Sequence, residues 1–403
     1  MHDLEPVVQE VLDRRLLIAS PAPIAVALSG GGDSLVLTLM AADWARAHGR
    51  RLMIFTVDHR LRAESSAWTQ ACAAIAARLG AAFQALAWEG AKPVTGLPAA
   101  ARAARHRLIA DAARRAGARV VLMGHTASDR LEAAAMREAG ATTPSPWEWG
   151  PSPAWPEGRG VFLLRPLLTR TRAELRAWLT ERGETWIEDP ANEDPRFART
   201  RARAGLTGME SDEVTFRLDL SRFASASIEL AGGMSLPRTA LRNVPQAFLA
   251  AACLCAAGTT RPPRGDRLER LAAILRSDAS VTATLAGARI EADERQVRFL
   301  RDPGRDGLAP LTLASEGAGV WDGRFEITTD RPLTIQALAG HAAGLSPPQR
   351  AALLRLPAGV RGSLPFIQGE GSPLLASLPG VSVRPLALDR LRSACGGVER
   401  EPG

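Results

Sequence analysis

Short apolar runs alternate with helical patterns over the first part of the chain. The runs are rich in Val, Ile, Leu and Ala and have the length of buried strands; they lie at residues 24–28, 52–57, 83–88 and 120–123. Between them, apolar residues recur at helical spacing, at residues 34–48, 65–79 and 97–116. Strands that alternate with helices of this length are typical of a parallel sheet covered by helices. The pattern therefore predicts an α/β domain with a doubly wound parallel sheet.

The pattern changes several times in the rest of the chain. Residues 139–160 are rich in Gly, Pro and Trp, which predicts a long irregular loop, and a helical pattern at 170–182 precedes an Arg-rich tail. Helical spacing over 236–276 and strand-like alternation over 282–300 predict a small helical domain with a β-hairpin. Frequent Gly and Pro beyond residue 302 predict a β-rich terminal domain. The predicted domains are residues 1–205, 206–304 and 305–403.

The composition is that of a globular protein, with 46% hydrophobic and 23% charged residues in a chain of 403. The first 20 residues carry four acidic side chains, which is wrong for a signal peptide and predicts an amphipathic helix. No apolar run of about 18 residues follows, so a cytoplasmic protein is expected. Four scattered cysteines lack the spacing of a zinc ribbon or a redox pair, which disfavours disulfide and cluster chemistry.

The chain is basic, with a net charge of +7 and a single lysine, Lys92, among its 50 basic residues. A basic balance favours a polyanionic partner. An Ala- and Arg-rich chain without tyrosine is also typical of a GC-rich genome. Charge alone therefore leaves a nucleic-acid partner open.

A glycine-rich turn lies where the first predicted strand ends and a helix begins. It reads Ser29-Gly30-Gly31-Gly32-Asp33-Ser34. Glycines let the backbone approach a ligand closely, and the N–H groups at a helix start favour bound phosphate. The serines offer hydroxyl donors, and Asp33 is placed to hold a Mg²⁺ ion that bridges phosphates. The turn therefore predicts a cradle for the phosphates of ATP; the alternative is an ordinary turn capped by Ser and Asp.

This turn resembles the SGGxDS signature of the PP-loop ATP pyrophosphatases. The resemblance implies cleavage of ATP between its α and β phosphates, which activates an oxygen atom of a second substrate. The turn lacks the lysine of a Walker A loop, so transfer of the γ-phosphate is disfavoured.

Three further motifs read VDHRLR at residues 57–62, ARAARH at 101–106 and GHTASDRLE at 124–132. They resemble the motifs VDHGLR, ARxxRY and GHTxDDQxET of the tRNA(Ile)-lysidine synthetases. This chain therefore departs from the family at Arg60, His106, Ser128, Arg130 and Ala133.

The first two of these motifs predict contacts with the nucleotide. Asp58 and His59 follow a strand at the carboxyl edge of the sheet, where open α/β folds bind ligands. Arg102 and Arg105 share a helix face, so they could clamp phosphate and act in catalysis. The alternatives are a solvated turn for the first pair and a solvated helix face for the second.

The third motif predicts a group of catalytic residues. Asp129 and Glu132 present two carboxylates on one helix face, which could hold a metal or the α-amino group of an amino acid; the metal ligands are predicted to be Asp33 and Asp129. His125 is the candidate for proton transfer, because an imidazole titrates near neutrality. A structural histidine is the alternative.

Two arginine-containing segments also resemble the family. Residues 165–168 match its RPLL turn, and residues 189–203 resemble its DPSNxDxxFxRNxIR motif. Arginines without intervening acidic residues suit a surface that follows phosphates, although a solvated charge run is the alternative. The predicted tRNA-binding residues are Arg165, Arg196, Arg199, Arg201 and Arg203.

The loop at residues 139–160 is where the resemblance is weakest, because the family's RGSG run is absent. It contains Trp147, Trp149 and Trp155. Indole rings there could stack on unpaired anticodon bases. Anchoring of the loop on the core is the preferred interpretation.

Taken together, the ordered motifs imply an ATP- and Mg²⁺-dependent enzyme that attaches free L-lysine to the wobble cytidine of a tRNA(Ile) with a CAU anticodon, with no membrane association. Two alternatives stay open: a tRNA thiolase of the same class and a tRNA-binding descendant without activity. The oligomeric state is open, with a dimer as one possibility.

Overall fold

The computed structural model describes residues 4–138, 146–188, 226–229, 231–263, 265–277, 279–304 and 307–403. The chain divides into two compact units, Met1–Thr215 with Val398–Gly403 and Phe216–Gly397. The further division of the second part into two domains stays a prediction.

A six-stranded sheet forms the centre of the first unit. In order across the sheet, its strands are β3 (Ala82–Ala87), β2 (Leu52–Asp58), β1 (Ile24–Ala27), β4 (Val120–Met123), β6 (Phe162–Leu164) and β5 (Trp149–Pro151). The first five strands are parallel and β5 is antiparallel to β6. The predicted doubly wound α/β domain is confirmed, whereas the sequence pattern did not predict the short strands β5 and β6.

Among the described residues, six helices accompany this sheet: α1 (Leu4–Arg15), α2 (Gly32–Ala47), α3 (Ser65–Arg78), α4 (Leu97–Arg115), α5 (Ala127–Glu138) and α6 (Arg172–Glu181). One hydrophobic core contains side chains of α1, α2, α3 and α6, and a second contains those of α4. The strand residues Val26, Ile54 and Leu122 have no exposed surface. Burial on both faces explains why β1, β2 and β4 are continuous apolar runs rather than alternating ones.

The order of the strands reverses around β1. The chain leaves β1 through α2 to reach β2 on one side, and after β3 it returns through α4 to β4 on the other side. In such sheets a crevice opens beyond the carboxyl ends of the two central strands, because the following helices diverge. The glycine-rich turn after β1 and the 124–132 motif after β4 both lie at this crevice.

The second unit contains a five-stranded antiparallel sheet in the order β7 (Ser227–Ile228), β8 (Met234–Pro237), β11 (Gln296–Arg301), β10 (Ala288–Ala292) and β9 (Val281–Leu285). Four helices share a core with it: α7 (Arg238–Leu241), α8 (Gln246–Ala257), α9 (Gly265–Arg276) and α12 (Ala387–Ala394). The alternation over residues 282–300 corresponds to β9, β10 and β11, a three-stranded meander rather than a single hairpin.

Two three-stranded antiparallel sheets follow in the same unit. One contains β12 (Leu311–Leu313), β15 (Leu333–Ala337) and β16 (Pro365–Ile367), and the other contains β13 (Gly317–Trp321), β14 (Phe325–Thr329) and β17 (Val381–Pro385). Short helices lie at Ala342–Gly344, Pro347–Leu354 (α10) and Ala358–Arg361 (α11). The predicted helical and β-rich character of these parts is confirmed.

Among the described residues, no helix combines the length and the apolar character that crossing a membrane requires.

Candidate active site at the carboxyl ends of strands β1 and β4

The conformation of the glycine-rich turn depends on a positive φ angle at Gly30 and on hydrogen bonds of Ser34. Gly30 has φ +86°, which side chains rarely adopt, and a Cβ atom there would overlap the end of the Ile187 side chain, so the position favours glycine. The Ser29 N–H donates to Ser34 Oγ (3.1 Å), and the Ser34 hydroxyl donates to the Gly31 carbonyl (2.9 Å). The hydroxyl proton of Ser34 is therefore engaged in a hydrogen bond within the turn. Gly31, the N-cap of α2, has no side chain with which to cap the first amides of this helix, which is consistent with helix amides presented to a ligand.

A cavity of about 440 Å³ opens beside this turn. Its lining includes the turn and side chains from each of the other three motifs, among them His59, Arg105, His125 and Asp129. These motifs are separated by up to about a hundred residues in sequence. The fold brings them together at one edge of the sheet. The turn and the motifs at 57–62 and 124–132 each follow a strand, and the motif at 101–106 lies in α4, the helix that follows β3.

Three carboxylates from two helices converge on one guanidinium group in this cavity. Asp33 Oδ2 accepts from Arg172 Nε (2.9 Å), Glu132 Oε1 lies 3.4 Å from Arg172 Nη1, and Asp129 Oδ1 lies 3.8 Å from Arg172 Nη2. Burial raises the pKa of Asp33, and the charge of Arg172 opposes that rise. Arg172 thus compensates the negative charge of the cluster.

Arg172 is a site residue that the sequence did not predict. It is the first residue of α6, whose N-cap Thr171 forms a capping box with Glu174. The T-x-x-E pattern could have predicted the start of this helix. It could not have predicted the contact with Asp33, which lies 139 residues earlier.

One oxygen of Asp129 accepts hydrogen bonds at the start of α5. Asp129 Oδ2 accepts from the backbone N–H and from the hydroxyl of Thr126, both at 2.9 Å. Within the described residues, no group of three or more His, Cys, Asp or Glu side chains is arranged to hold a metal ion by itself. Any Mg²⁺ ion at Asp33 therefore requires further oxygen ligands, which the phosphates of a nucleotide can provide.

A basic cluster lies beside the carboxylates. Arg165 is buried, and its Nε donates to His125 Nδ1 (3.2 Å) while its Nη1 donates to the carbonyl of Trp147 (2.6 Å). Burial, together with the charges of Arg102 and Arg105, lowers the pKa of Arg165 to about 10. The sequence grouped Arg165 with a tRNA-binding surface, whereas the structure buries it beside the candidate proton-transfer residue.

The contact with Arg165 decides the tautomer of His125. A guanidinium N–H can only donate, so Nδ1 of His125 must be the accepting nitrogen. A neutral His125 ring therefore carries its proton on Nε2. Nearby, burial and the positive charges of Arg105 and Arg102 lower the pKa of His106 to about 2, so this ring is neutral at physiological pH.

The 57–62 motif forms a tight turn at the rim of the cavity. Asp58 Oδ1 accepts from the Arg60 N–H (2.7 Å), so Asp58 shapes the turn. Arg60 has φ +51°, a conformation that favours glycine, which is the residue of the family motif at this position. His59 lies edge-on to Trp88 with ring centroids 5.9 Å apart, and burial lowers the pKa of His59.

Trp186 and Ile187 lie against the glycine-rich turn, a contact that the sequence did not predict. The Ile187 N–H donates to the Gly30 carbonyl (2.9 Å). Glu188 accepts from Trp186 Nε1 (2.7 Å) and pairs with Arg176 (2.8 Å). The predicted tRNA-binding residues Arg196, Arg199, Arg201 and Arg203 follow this segment and lie outside the described residues.

The tryptophans of the 139–160 loop have different environments. The Trp149 ring stacks on Phe162, with centroids 5.0 Å apart, and its Nε1 donates to the carbonyl of Val398 (2.6 Å). Trp149 is thus an anchor of the loop, as the preferred interpretation predicted. Trp147 is 42% exposed.

Known proteins match the chain over most of its length. A family model described as a PP-loop domain matches residues 4–209. The tRNA(Ile)-lysidine synthase of Caulobacter vibrioides is 51% identical over 98% of this chain and 93% of its own length. The proteins of the same name from Hyphomonas neptunium and Rhizobium meliloti are 36% and 33% identical over 79% and 85% of this chain, and over 90% and 81% of their own lengths. With its motifs gathered around one cavity, the chain belongs to the tRNA(Ile)-lysidine synthase family of PP-loop proteins.

Proposed function

We propose that this chain uses ATP to join free L-lysine to carbon 2 of the wobble cytidine in the CAU anticodon of tRNA(Ile), forming lysidine. The observation that carries the proposal is the convergence of the glycine-rich turn, the carboxylate cluster and the basic cluster on one cavity. Membership of the family supports the choice of substrates.

The reaction proceeds in two displacements. The oxygen on carbon 2 of the cytidine attacks the α-phosphorus of ATP, and the bond to the bridging oxygen breaks, which releases pyrophosphate. The neutral ε-amino group of lysine then attacks carbon 2 and loses a proton, and the carbon–oxygen bond breaks as AMP leaves with the oxygen. Adenylation is needed because an amide-like oxygen is otherwise a poor leaving group.

The protein contributes mainly position and charge. The amides at the start of α2 hold the phosphates, and Arg102 and Arg105 neutralise the charge that develops on them. Asp33 would hold Mg²⁺, which stabilises negative charge on the phosphates when it is bound. Asp129 and Glu132 bind the α-ammonium group of lysine, and His125 donates or accepts a proton through Nε2, because Arg165 occupies Nδ1.

The structure gives no support to sulfur transfer. Cys72 has no exposed surface, and burial raises the pKa of its thiol. A catalytic or cluster-binding cysteine must be accessible and readily ionised. Cys253, Cys255 and Cys395 are also buried.

The test is the ATP-dependent transfer of labelled lysine to tRNA(Ile) by the full chain. Asp33→Ala is expected to lower the release of AMP by on the order of a hundredfold or more, as loss of a group that stabilises charge does, while tRNA binding is retained. Asp43→Ala is the matched control, because Asp43 lies on the same helix, 67% exposed, in a pair with Arg46. Transfer of label without ATP would overturn the proposal, and so would tight tRNA binding without any release of AMP.

A further inference from the structure

Arg172 is in an unusual position for a residue of a substrate cavity. Its guanidinium group faces three carboxylates, with Asp33 in direct hydrogen-bond contact, and its side chain is 22% exposed. Glu132 is almost fully buried, with 1% of its side chain exposed. Carboxylates that lie close to one another repel in a partly desolvated site, and a cation among them reduces that repulsion. Arg172 contacts all three carboxylates and provides such a charge.

The geometry suits an organic cation rather than a metal ion. Arg172 lies 2.9 Å from Asp33 through Nε, 3.4 Å from Glu132 through Nη1 and 3.8 Å from Asp129 through Nη2, so each carboxylate faces a different nitrogen of the planar guanidinium group. No three acidic side chains of the described residues are close enough to enclose a metal ion. An ammonium group has three N–H donors and could make the same contacts with part of this set.

We propose that Arg172 is a resident counter-ion that the α-ammonium group of the amino-acid substrate displaces from Asp129 and Glu132. The inference rests on the proposed function for the identity of that amino acid. The contacts with Asp129 and Glu132 are the two longer ones, so these are the contacts that an incoming ammonium group takes over at least cost. The hydrogen bond to Asp33 is retained. Arg172 is therefore a positioning residue: it holds the carboxylates in place before substrate binds, and it weakens substrate binding by competition.

The consequence is a gain in affinity when the positive charge is removed. In Arg172→Gln, the carboxylates lose their competitor, and the apparent affinity for L-lysine is expected to rise on the order of tenfold, equivalent to about 1.4 kcal/mol. Without lysine the variant is expected to unfold at a lower temperature, because the three carboxylates lose the charge compensation that Arg172 provides. Arg172→Lys keeps a positive charge and is expected to restore an affinity close to that of the wild type.

The experiment is calorimetric titration of the full chain with L-lysine, without ATP or tRNA, together with unfolding temperatures over the same lysine concentrations. Nα-acetyl-L-lysine is the matched ligand, because it lacks the α-ammonium group and should gain nothing from the substitution. Arg182→Gln is the matched variant, because Arg182 directly follows α6 and pairs with the exposed Glu5.

Each outcome decides the role of Arg172. Tighter binding of lysine but not of its acetylated form by Arg172→Gln supports displacement. The displacement is overturned if Arg172→Gln binds lysine no more tightly than the wild type, or if both ligands gain equally. It is also overturned if lysine changes neither the heat nor the unfolding temperature of either protein. The proposed function is judged separately, by transfer of lysine to tRNA by the wild type, so failure of one can be told from failure of the other.

Discussion

The buried ion pair between Arg50 and Glu401 offers the sharpest test of the packing of the first unit. The two side chains are 2% and 1% exposed. Arg50 Nη2 donates to Glu401 Oε1 (2.8 Å) and Nη1 to Oε2 (3.1 Å), and the Leu17 N–H donates to Oε2 (2.8 Å). The backbone N–H of Glu401 also donates to the carbonyl of Arg15 (2.7 Å). Residues 398–403 are thereby held against the end of α1.

Glu401→Gln keeps the volume of the side chain but leaves the charge of Arg50 buried without a counter-ion. Removal of one partner of a buried pair typically costs about 3–5 kcal/mol. Arg50 keeps the carbonyl of Ala22 as an acceptor, to which Nη2 donates at 2.7 Å. We therefore expect a loss near the lower end, about 3 kcal/mol in the free energy of unfolding of this unit.

Tryptophan fluorescence during urea unfolding measures this loss selectively, because eight of the nine tryptophans precede residue 187 and thus belong to the first unit. Glu399→Gln, an exposed residue of the same segment, is the control and should change stability by less than about 0.5 kcal/mol. The double variant Arg50→Met with Glu401→Leu should recover most of the loss, because a buried pair replaced by apolar groups leaves no isolated charge. A loss below about 1 kcal/mol for Glu401→Gln, or a double variant no more stable than the single one, would refute the reasoning.

Two further predictions concern the glycine-rich turn and the buried His106. Gly30→Ala forces a side chain against Ile187 at φ +86° and is expected to weaken ATP binding at least tenfold in calorimetry. Gly49 also has a positive φ but has open space around its Cβ position, so Gly49→Ala should leave ATP binding intact. Equal ATP affinities of the two variants would contradict the shape argued for the turn. The pKa of His106 is lowered from 6.5 to about 2, so the folded state binds fewer protons than the unfolded state between these values. Stability should therefore fall as the pH drops below about 6.5, by up to about 1.4 kcal/mol per pH unit from this group. His106→Phe should flatten the dependence in urea unfolding at pH 7.0 and 5.5, and an unchanged slope would show that other groups cause it.

Local physical chemistry determined much of this protein from its sequence alone. Strands buried on both faces must be continuous apolar runs, so β1, β2 and β4 could be recognised from their composition. The glycine-rich turn could be recognised because its conformation admits few other residues: Gly30 combines a positive φ with a close neighbour. The order of the motifs along the chain then indicated the family and the general position of the site.

Only the tertiary structure decided which residues meet. Arg172 contacts Asp33, Ile187 covers Gly30, and Glu401 pairs with Arg50 across 351 positions of sequence. The three-residue strands β5 and β6 were also invisible in the sequence pattern, because segments this short show no periodicity. Such contacts depend on the order of the strands and on which side chains each neighbouring element presents. The sequence pattern describes one helix or strand at a time, so it can indicate that a residue is buried. The residue that it contacts in another element is determined by how the elements pack.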